Sequence, residues 1–410
     1  MLKVGKNPLI NKDSSVRSTK TLQETVANIS RDCEHWLDQW AFIAFKTVYA
    51  RKKMMRSFRC IVQTLIGLFI KPRLSHVNRI YIFEGLRNKE YMAAFSPETI
   101  FLVGSHQEKD YAMTHGYGFI WSFPMQSSIH SNLSRGWTYP AIRQLQFWTK
   151  LLAKFDRVIF FLQEDTQPLG TFFVYLARSM PTTVSSVCIQ HGYFLKYHYP
   201  IRNEGALSDI NFVWEMKQAE LIGSNKLKTF EIGLPYIAQA KPTSELNVVL
   251  VGAGMVDSGS GIYERSIKTY TEINKLLAGE MGVNVFYRPH PNEYNDKKLI
   301  AALRDSFSLV ESKDKLIQLN GPRALFIGVE SSLLYEAGVA GHLVAHLKLD
   351  ESIPAFEFEF EFYETEGNKL LEWVLSVKDN INVPAKTLNF SNVTPLDRFN
   401  LALRDAGLVD

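Results

Sequence analysis

The feature of this sequence that most constrains its fold is a regular alternation of short apolar strands with helices, which begins near residue 79. Each strand candidate is rich in Val, Ile, Leu and Phe, as in RVIFFL at Arg157–Leu162. Repeating βα units imply mostly parallel sheets with helices on both faces. The predicted strands are Arg79–Phe83, Thr99–Val103, Gly118–Phe123, Arg157–Leu162, Val184–Ile189, Asp209–Val213, Lys228–Ile232, Asn247–Val251, Val283–Tyr287, Ala324–Ile327 and Leu343–Leu347, with an edge strand in Phe356–Phe362. The predicted helices are Tyr139–Lys154, Gly170–Arg178, Trp214–Ile222, Tyr263–Gly279, Lys297–Asp305 and Ser331–Ala340.

A short polar segment divides this alternation into two series. Ala238–Glu245 is small, polar and proline-bearing, which is typical of a linker between domains. A chain of 410 residues has room for two or three domains. We therefore predict an α/β protein with an N-terminal domain over 1–240, a C-terminal domain over 241–385 and a tail or helix over 386–410 that packs back on the first domain. Two such sheets leave a cleft at the carboxyl ends of their strands, where ligands bind in this architecture.

The N-terminal segment carries an uneven charge. The chain has a net charge of +4, but Lys46–Arg79 contains nine basic residues and no acidic one, which leaves −5 for the rest. The apolar run Ile61–Ile70 inside this window is too short to span a bilayer, which needs about 20 residues. The window predicts either contact with an anionic membrane surface or a core helix with a solvated basic end. We predict a loose arm or short helix over residues 1–30, a mostly helical Asp32–Phe69 and no nucleic-acid site.

The spacing of the glycines argues against a dinucleotide-binding site, and the spacing of the cysteines argues against disulfides and a zinc ribbon. Gly252 and Gly254 follow a predicted strand, but the third glycine of a dinucleotide fingerprint is replaced by Asp257. The three cysteines of the chain are scattered without CxxC spacing, so neither a disulfide framework nor a zinc ribbon is expected, and the predicted compartment is reducing.

The C-terminal series carries two candidate anion-binding motifs. Arg288-Pro289-His290-Pro291 follows a predicted strand, and its imidazole and guanidinium could hold a phosphate, although a turn with an exposed histidine gives the same pattern. Ser331 and Ser332 begin a helix, where they could cap its amides or present them to an anion. Glu336, one turn further on, is a candidate ligand for ribose hydroxyls or a surface carboxylate.

The N-terminal series carries candidate acid–base groups. Glu164 and Asp165 follow the strand Arg157–Leu162, where carboxylates in a dry cleft can act as acid, base or nucleophile, while capping of the next helix would also explain Asp165. Gln190 and His191 follow the next strand, so they could contact substrate or be buried and hydrogen-bonded. The loops around Glu164, His191, Asp257 and His290 are all expected to face one cleft.

Taken together, these motifs resemble those of a known enzyme group. Glu164-Asp165, His290-Pro291 and Ser331-Ser332 are similar, in this order, to the acidic, HP and SS motifs of bacterial CMP-sugar-dependent glycosyltransferases with the GT-B fold, which include sialyltransferases and Kdo transferases. Gln190-His191-Gly192 and Gly233-Leu234-Pro235 also resemble signatures of surface-polysaccharide enzymes. Thr166 stands where sialyltransferases usually have glycine, which favours the retaining β-Kdo transferases.

The resemblance implies a GT-B-like fold with two Rossmann-like domains facing a central cleft. It also implies that His290, Ser331 and Ser332 hold the CMP phosphate, with Arg288 and Glu336 as further donor-binding residues and Gln190 and His191 at the donor side. No metal is expected, because these loops contain neither Asp-x-Asp nor His/Asp clusters with ligand spacing. No cofactor is expected beside the CMP-sugar, which is itself the donor substrate.

For a retaining double displacement, the expected nucleophile is Asp257 and the expected acid/base is Glu164, with Asp165 as its substitute. For an inverting sialyl transfer, Glu164 or Asp165 alone would be the base. The expected acceptor is lipid-linked or an oligosaccharide of capsule, O-antigen or lipopolysaccharide, reached by a cytoplasmic enzyme that touches the inner membrane through residues 46–79. The alternatives are polyol-phosphate transfer from CDP-glycerol, a UDP-sugar GT-B transferase and a non-enzymatic polysaccharide-binding scaffold.

Overall fold

The computed structural model describes most of the chain. The described residues are 19–40, 79–125, 138–192, 205–222, 228–252, 261–349, 360–378, 381 and 393–409, apart from 87, 93, 96–97, 182, 295, 311, 313, 330 and 365 within them. The basic segment that precedes Arg79 and the loop that contains Asp257 therefore lie outside the described residues. Among the described residues, none of the helices combines the length and the hydropathy that a membrane-spanning segment needs.

The first domain is built on a seven-stranded parallel sheet with the order β3-β2-β1-β4-β5-β6-β7. Its central strands are buried along almost their whole length because helices cover both faces, which explains why they are uniformly apolar rather than alternating. The strands are β1 Arg79–Glu84, β2 Thr99–Val103, β3 Gly118–Trp121, β4 Arg157–Leu162, β5 Val184–Ile189, β6 Ile210–Val213 and β7 Lys228–Glu231.

Helices pack on both faces of this sheet and line its carboxyl edge. The described helices of this domain are α1 Thr19–Trp40, α2 Lys89–Met92, α3 His106–Thr114, α4 Thr138–Leu152, α5 Pro168–Ser179 and α6 Ala219–Ile222. Of the loose arm or short helix predicted for residues 1–30, the structure shows a helix from Thr19 onward, which is longer than predicted and runs to Trp40. Leu22, Val26 and Ile29 recur at helical spacing and are buried in the first core, so α1 packs against α4 and α5.

The second domain repeats the architecture on a six-stranded parallel sheet with the order β10-β9-β8-β11-β12-β13. The strands are β8 Asn247–Val251, β9 Asn284–Arg288, β10 Ser308–Leu309, β11 Ala324–Gly328, β12 Leu343–Lys348 and β13 Phe360–Tyr363. The described helices of this domain are α7 Ile262–Asn274, which continues into a π-helical turn Lys275–Glu280, α8 Pro291–Tyr294, α9 Lys297–Ser306, α10 Lys315–Leu319, α11 Ser332–Val339 and α12 Gly367–Lys378. A further helix, α13 Pro395–Asp405, follows them along the chain. The predicted α/β class with two parallel-sheet domains is confirmed.

The last described helix, α13, returns to the first domain. Phe399 is fully buried there and stacks on Tyr91 with ring centroids 4.2 Å apart. The Arg398 guanidinium donates to the carbonyl of Leu234 at 3.3 Å, and Arg157 donates to the carbonyl of Gly407. Helix α13 therefore packs into the core of the first domain.

Two sets of contacts connect the domains. The linker follows the second domain closely, since the amide of Ala240 donates to the carbonyl of Ala340 at 2.7 Å and that of Lys241 to Gly321 at 2.8 Å. Beyond the end of β6, the Trp214 ring stacks on Tyr335 of α11 with centroids 5.8 Å apart, and the Tyr335 hydroxyl donates to Glu215 at 2.5 Å. These contacts join the chain that follows β6 to the helix that follows β11.

Candidate active site

An open depression of about 560 Å³ lies at the carboxyl ends of β1, β2 and β4. The parallel register places these ends side by side, with β1 between β2 and β4. Carboxylates, amides and a hydroxyl dominate its lining, which suits a ligand rich in hydrogen-bonding groups. The lining residues are Glu84, Gly85, Leu86, Ser105, Gln107, Glu108, Gln163, Glu164 and Gln167.

A carboxylate–imidazole pair stands at the side of this depression. Glu164 Oε1 lies 3.2 Å from Nε2 of His191, and both side chains are partly accessible, at 21% and 12%. Nδ1 of His191 lies 3.0 Å from the carbonyl oxygen of Gln163, so this nitrogen carries a proton that it donates. The contact between Nε2 and the Glu164 carboxyl is a hydrogen bond when either group carries a proton at that position. The pair can give a proton to, or take one from, a group bound in the depression.

Glu84, which the sequence did not reveal, fixes the backbone and side chain of Gln163, the residue that precedes Glu164. Its carboxylate accepts the amide of Gln163 at 3.0 Å, and the side-chain amide of Gln163 donates to the Glu84 carbonyl. Burial raises the pKa of the Glu84 carboxyl to about 7, against the lowering effect of the amides that donate to it. The signal available in the sequence was its place at the end of RIYIF, followed directly by Gly85.

Asp165 points away from the depression into the protein. It is completely buried, and its two carboxylate oxygens accept the backbone amides of Gly205, Leu207 and Ser208 at 2.8, 2.9 and 2.6 Å. Burial raises its pKa, while these bonds act in the opposite direction. The neighbouring residues Glu164 and Asp165 therefore have different surroundings: one is paired with an imidazole at the cleft, and the other holds the chain that leads into β6.

Gln190 positions the loop that carries His191. It is buried, its side-chain amide donates to the carbonyl of Gly192 at 2.8 Å and to Gln218 at 3.1 Å, and its oxygen accepts the amide of Trp214 at 2.6 Å. The side chain is thus fully engaged with protein groups. It connects the end of β5 to the interdomain contact made by Trp214.

In the second domain, the loop after β9 is held by a buried carboxylate that sequence reasoning also missed. Glu293 accepts the hydroxyls of Tyr287 and Tyr263 at 2.6 and 2.8 Å, and it accepts the backbone amide of His290. Gly252 permits this arrangement, because a Cβ atom there would lie 2.2 Å from the Glu293 carboxylate. The His290 loop is therefore rigidly placed beside the end of β8.

The predicted serine pair stands at the end of β11. The Ser331 hydroxyl caps α11 by accepting the amide of Leu333 at 3.3 Å, and Ser332 is the first residue of that helix. Since β8 lies between β9 and β11 in the sheet, the loops of His290 and Ser331 flank the same strand end. The structure thus brings these two motifs to one edge, while the predicted nucleophile Asp257 lies outside the described residues.

Glu336 and Arg288 lie in the interior of this region. The buried Glu336 carboxylate forms an ion pair with Lys315 at 2.7 Å and accepts the hydroxyl of Tyr236, whose ring lies 4.7 Å from the Lys315 ammonium. Arg288 is 8% exposed, and burial lowers the pKa of its guanidinium in spite of the nearby Glu336. These groups form a charged network among β9, α10 and α11 of the second domain.

Comparisons with known proteins identify the fold. No protein-family model and no curated protein matches the sequence. A Listeria monocytogenes protein assigned as a UDP-N-acetylglucosamine 2-epimerase superposes with a TM-score of 0.50 at 13% identity, over 80% of this chain and 95% of that one. The Methanocaldococcus jannaschii UDP-GlcNAc 2-epimerase follows with 0.49 at 10% identity, over 80% and 99%. The wall teichoic acid polymerase TagF gives 0.42 at 10% identity, over 88% and 99%. The chain has a GT-B-like fold.

Proposed function

We propose that this chain is a glycosyltransferase that moves a 3-deoxy-ulosonic acid, Kdo first and sialic acid second, from a CMP-sugar to a lipid-linked or oligosaccharide acceptor of a bacterial surface polysaccharide. The observation that carries the proposal is the Glu164–His191 pair at the carboxyl edge of the first sheet, together with the HP and SS motifs at the carboxyl edge of the second. An acid–base group and an anion-binding edge are the two parts that such a transfer needs.

The second domain would hold the leaving group. His290 stands on a loop fixed by Glu293, and Ser331 begins a helix of eight residues, whose N-terminus favours negative charge. CMP is a stable leaving group, so the enzyme mainly has to stabilise the departing phosphate and the oxocarbenium-like sugar. The residues at this edge match that task.

The first domain would supply the acid–base chemistry. In the retaining route, Asp257 attacks the anomeric carbon while the bond to the CMP phosphate breaks. The acceptor hydroxyl then displaces Asp257, and its proton passes to Glu164, which His191 assists. Asp165 is less suited to this step, since its carboxylate oxygens already accept three backbone amides.

The test of the donor class is thermal stabilisation without added divalent metal. CMP at about 100 times its Kd should stabilise the protein by about 2.7 kcal/mol, whereas UDP and CDP-glycerol should shift the melting temperature far less. His290→Asn should reduce the CMP shift, while His115→Asn, a change at an exposed histidine of the first domain, should leave it unchanged. If only UDP or only CDP-glycerol raises the melting temperature, the donor is a UDP-sugar or CDP-glycerol and the CMP-sugar proposal is wrong.

The test of the mechanism is the mass of the protein after incubation with CMP-Kdo and, separately, CMP-sialic acid. A retaining transfer predicts a covalent sugar adduct, which Glu164→Gln should allow to accumulate because the acceptor proton has lost its base. Asp257→Ala should abolish the adduct. An adduct that persists in Asp257→Ala would assign the nucleophile to another residue, and transfer at the normal rate by Glu164→Gln would remove Glu164 from the chemistry.

A further inference from the structure

We propose that Glu84 is a positioning residue of the candidate active site, which orients the Glu164–His191 pair through the backbone of Gln163. This inference rests on the function proposed above for its kinetic readout, but its structural readout is independent of any activity.

The first observation is the double connection between Glu84 and Gln163. The Glu84 carboxylate accepts the main-chain amide of Gln163, and the Glu84 carbonyl accepts the side-chain amide of the same residue. The amide of Glu164 also donates to the Glu84 carboxyl. The last residue of β1 therefore holds the two residues that follow β4.

The second observation is that Gln163 in turn orients His191. Its carbonyl oxygen accepts the Nδ1 proton of the imidazole at 3.0 Å, which leaves Nε2 to face Glu164. The Glu164 amide, which donates to Glu84, and the Gln163 carbonyl, which accepts from His191, belong to the same peptide unit. Glu84 therefore fixes the peptide unit that orients both members of the pair. A rotation of this unit would turn the carbonyl away from His191.

The third observation is the glycine that makes room for this arrangement. Gly85 has φ +70, and a Cβ atom at this position would lie 2.8 Å from the Gln163 side-chain amide nitrogen. A glycine thus satisfies both the left-handed backbone and the close approach of the Gln163 side chain to the Glu84 carbonyl. Any larger residue in place of Gly85 would strain the backbone after β1 and push the Gln163 side chain away from the Glu84 carbonyl.

The charge of Glu84 adds a pH dependence to this role. Its pKa of about 7 means that the carboxyl ionises near neutral pH. The charged groups around it are Glu164 and His191 at the ends of β4 and β5, and Glu108 of α3 across the depression. An ionised Glu84 repels the charge of Glu164 and attracts a protonated His191. An ionised Glu84 therefore favours a protonated pair over a deprotonated one.

The experiment compares two substitutions of Glu84 by kinetics and by NMR of the His191 ring, with resonances assigned through His191→Gln. Glu84→Ala removes the acceptor, so kcat should fall about 100-fold with little change in donor KM, as expected for a displaced catalytic group. Glu84→Gln keeps an acceptor oxygen but no charge, so it should recover most of kcat, and the His191 ring should titrate at a lower pH than in the wild-type protein. Glu220→Gln, an exposed change in the same domain, is the matched control.

Several outcomes decide the proposal. A folded Glu84→Ala protein with wild-type His191 titration and wild-type kcat would overturn it. If Glu84→Ala does not fold, the isosteric Glu84→Gln still decides it, because an unchanged His191 titration there would contradict the electrostatic link. Absence of sugar transfer by the wild-type protein would contradict the proposed function only, since the His191 titration would remain a complete test of Glu84.

Discussion

At the scale of single residues, adjacent carboxylates of this chain have opposite roles. Glu164 reaches the cleft and pairs with an imidazole, whereas Asp165 is completely buried and holds three backbone amides. The sequence presented them as near equivalents, because a strand end fixes which residues are near the cleft but not where each side chain turns. The buried carboxylates Asp165 and Glu293 organise the loops on which the more accessible groups stand.

The structural role of Asp165 can be tested by its removal. Asp165→Ala leaves three buried amides without an acceptor, so it should lower the free energy of unfolding by about 3–5 kcal/mol. Asp110→Ala, at an exposed position of the same domain, should change it by less than about 0.5 kcal/mol. The measurement is the midpoint of urea unfolding. A variant with an unchanged midpoint and no activity would instead make Asp165 catalytic.

At the scale of elements, the loop after β4 is defined by the helix that follows it. The helix α5 begins at Pro168, and Gly170 in its first turn approaches the loop so closely that a Cβ atom would lie 2.1 Å from the Glu164 carbonyl oxygen. The Thr171 hydroxyl donates to the Asp165 carbonyl at 3.1 Å. The backbone of both acidic residues is therefore packed against the start of α5, which limits how Glu164 can move.

Gly170→Ala tests this packing. The added methyl group meets backbone atoms that cannot rotate away, so the substitution should destabilise the protein by about 1–3 kcal/mol and reduce transfer by displacing Glu164. Gly279→Ala is the matched control, because nothing lies within 4 Å of its Cβ position and alanine there should be neutral or stabilise by about 0.5–1 kcal/mol. Equal melting temperatures for the two variants would show that the loop adapts to the methyl group.

At the scale of the whole molecule, helix α13 follows the second domain in sequence but packs into the core of the first. Phe399 of α13 is surrounded by aromatic rings from the first domain, including Phe161 and Phe212 at centroid distances of 5.8 and 5.5 Å. Because these rings belong to β4 and β6, the helix stabilises the sheet that presents Glu164. The first domain thus depends on residues that are distant in sequence.

Phe399→Ala should therefore destabilise the first domain. Loss of a buried phenyl ring costs about 3–5 kcal/mol, which should lower the unfolding midpoint strongly. Leu401→Ala, on the same helix but at a residue that is 53% exposed, should leave the midpoint nearly unchanged. Similar midpoints for Phe399→Ala and the wild-type protein would mean that α13 contributes little to the core.

The sequence by itself determined the two-sheet α/β class, most strand positions and the motifs at the strand ends, because buried strands and turn residues are local signals. It predicted α1 only in part, as a short helix within residues 1–30 and a helical stretch from Asp32, it missed α3, and it did not reveal Glu84 or Glu293. Only the tertiary structure decided that β1 lies beside β4, which places Glu84 against Gln163. Strand order and carboxylate burial depend on which distant segments become neighbours, and a local pattern carries no information about that choice.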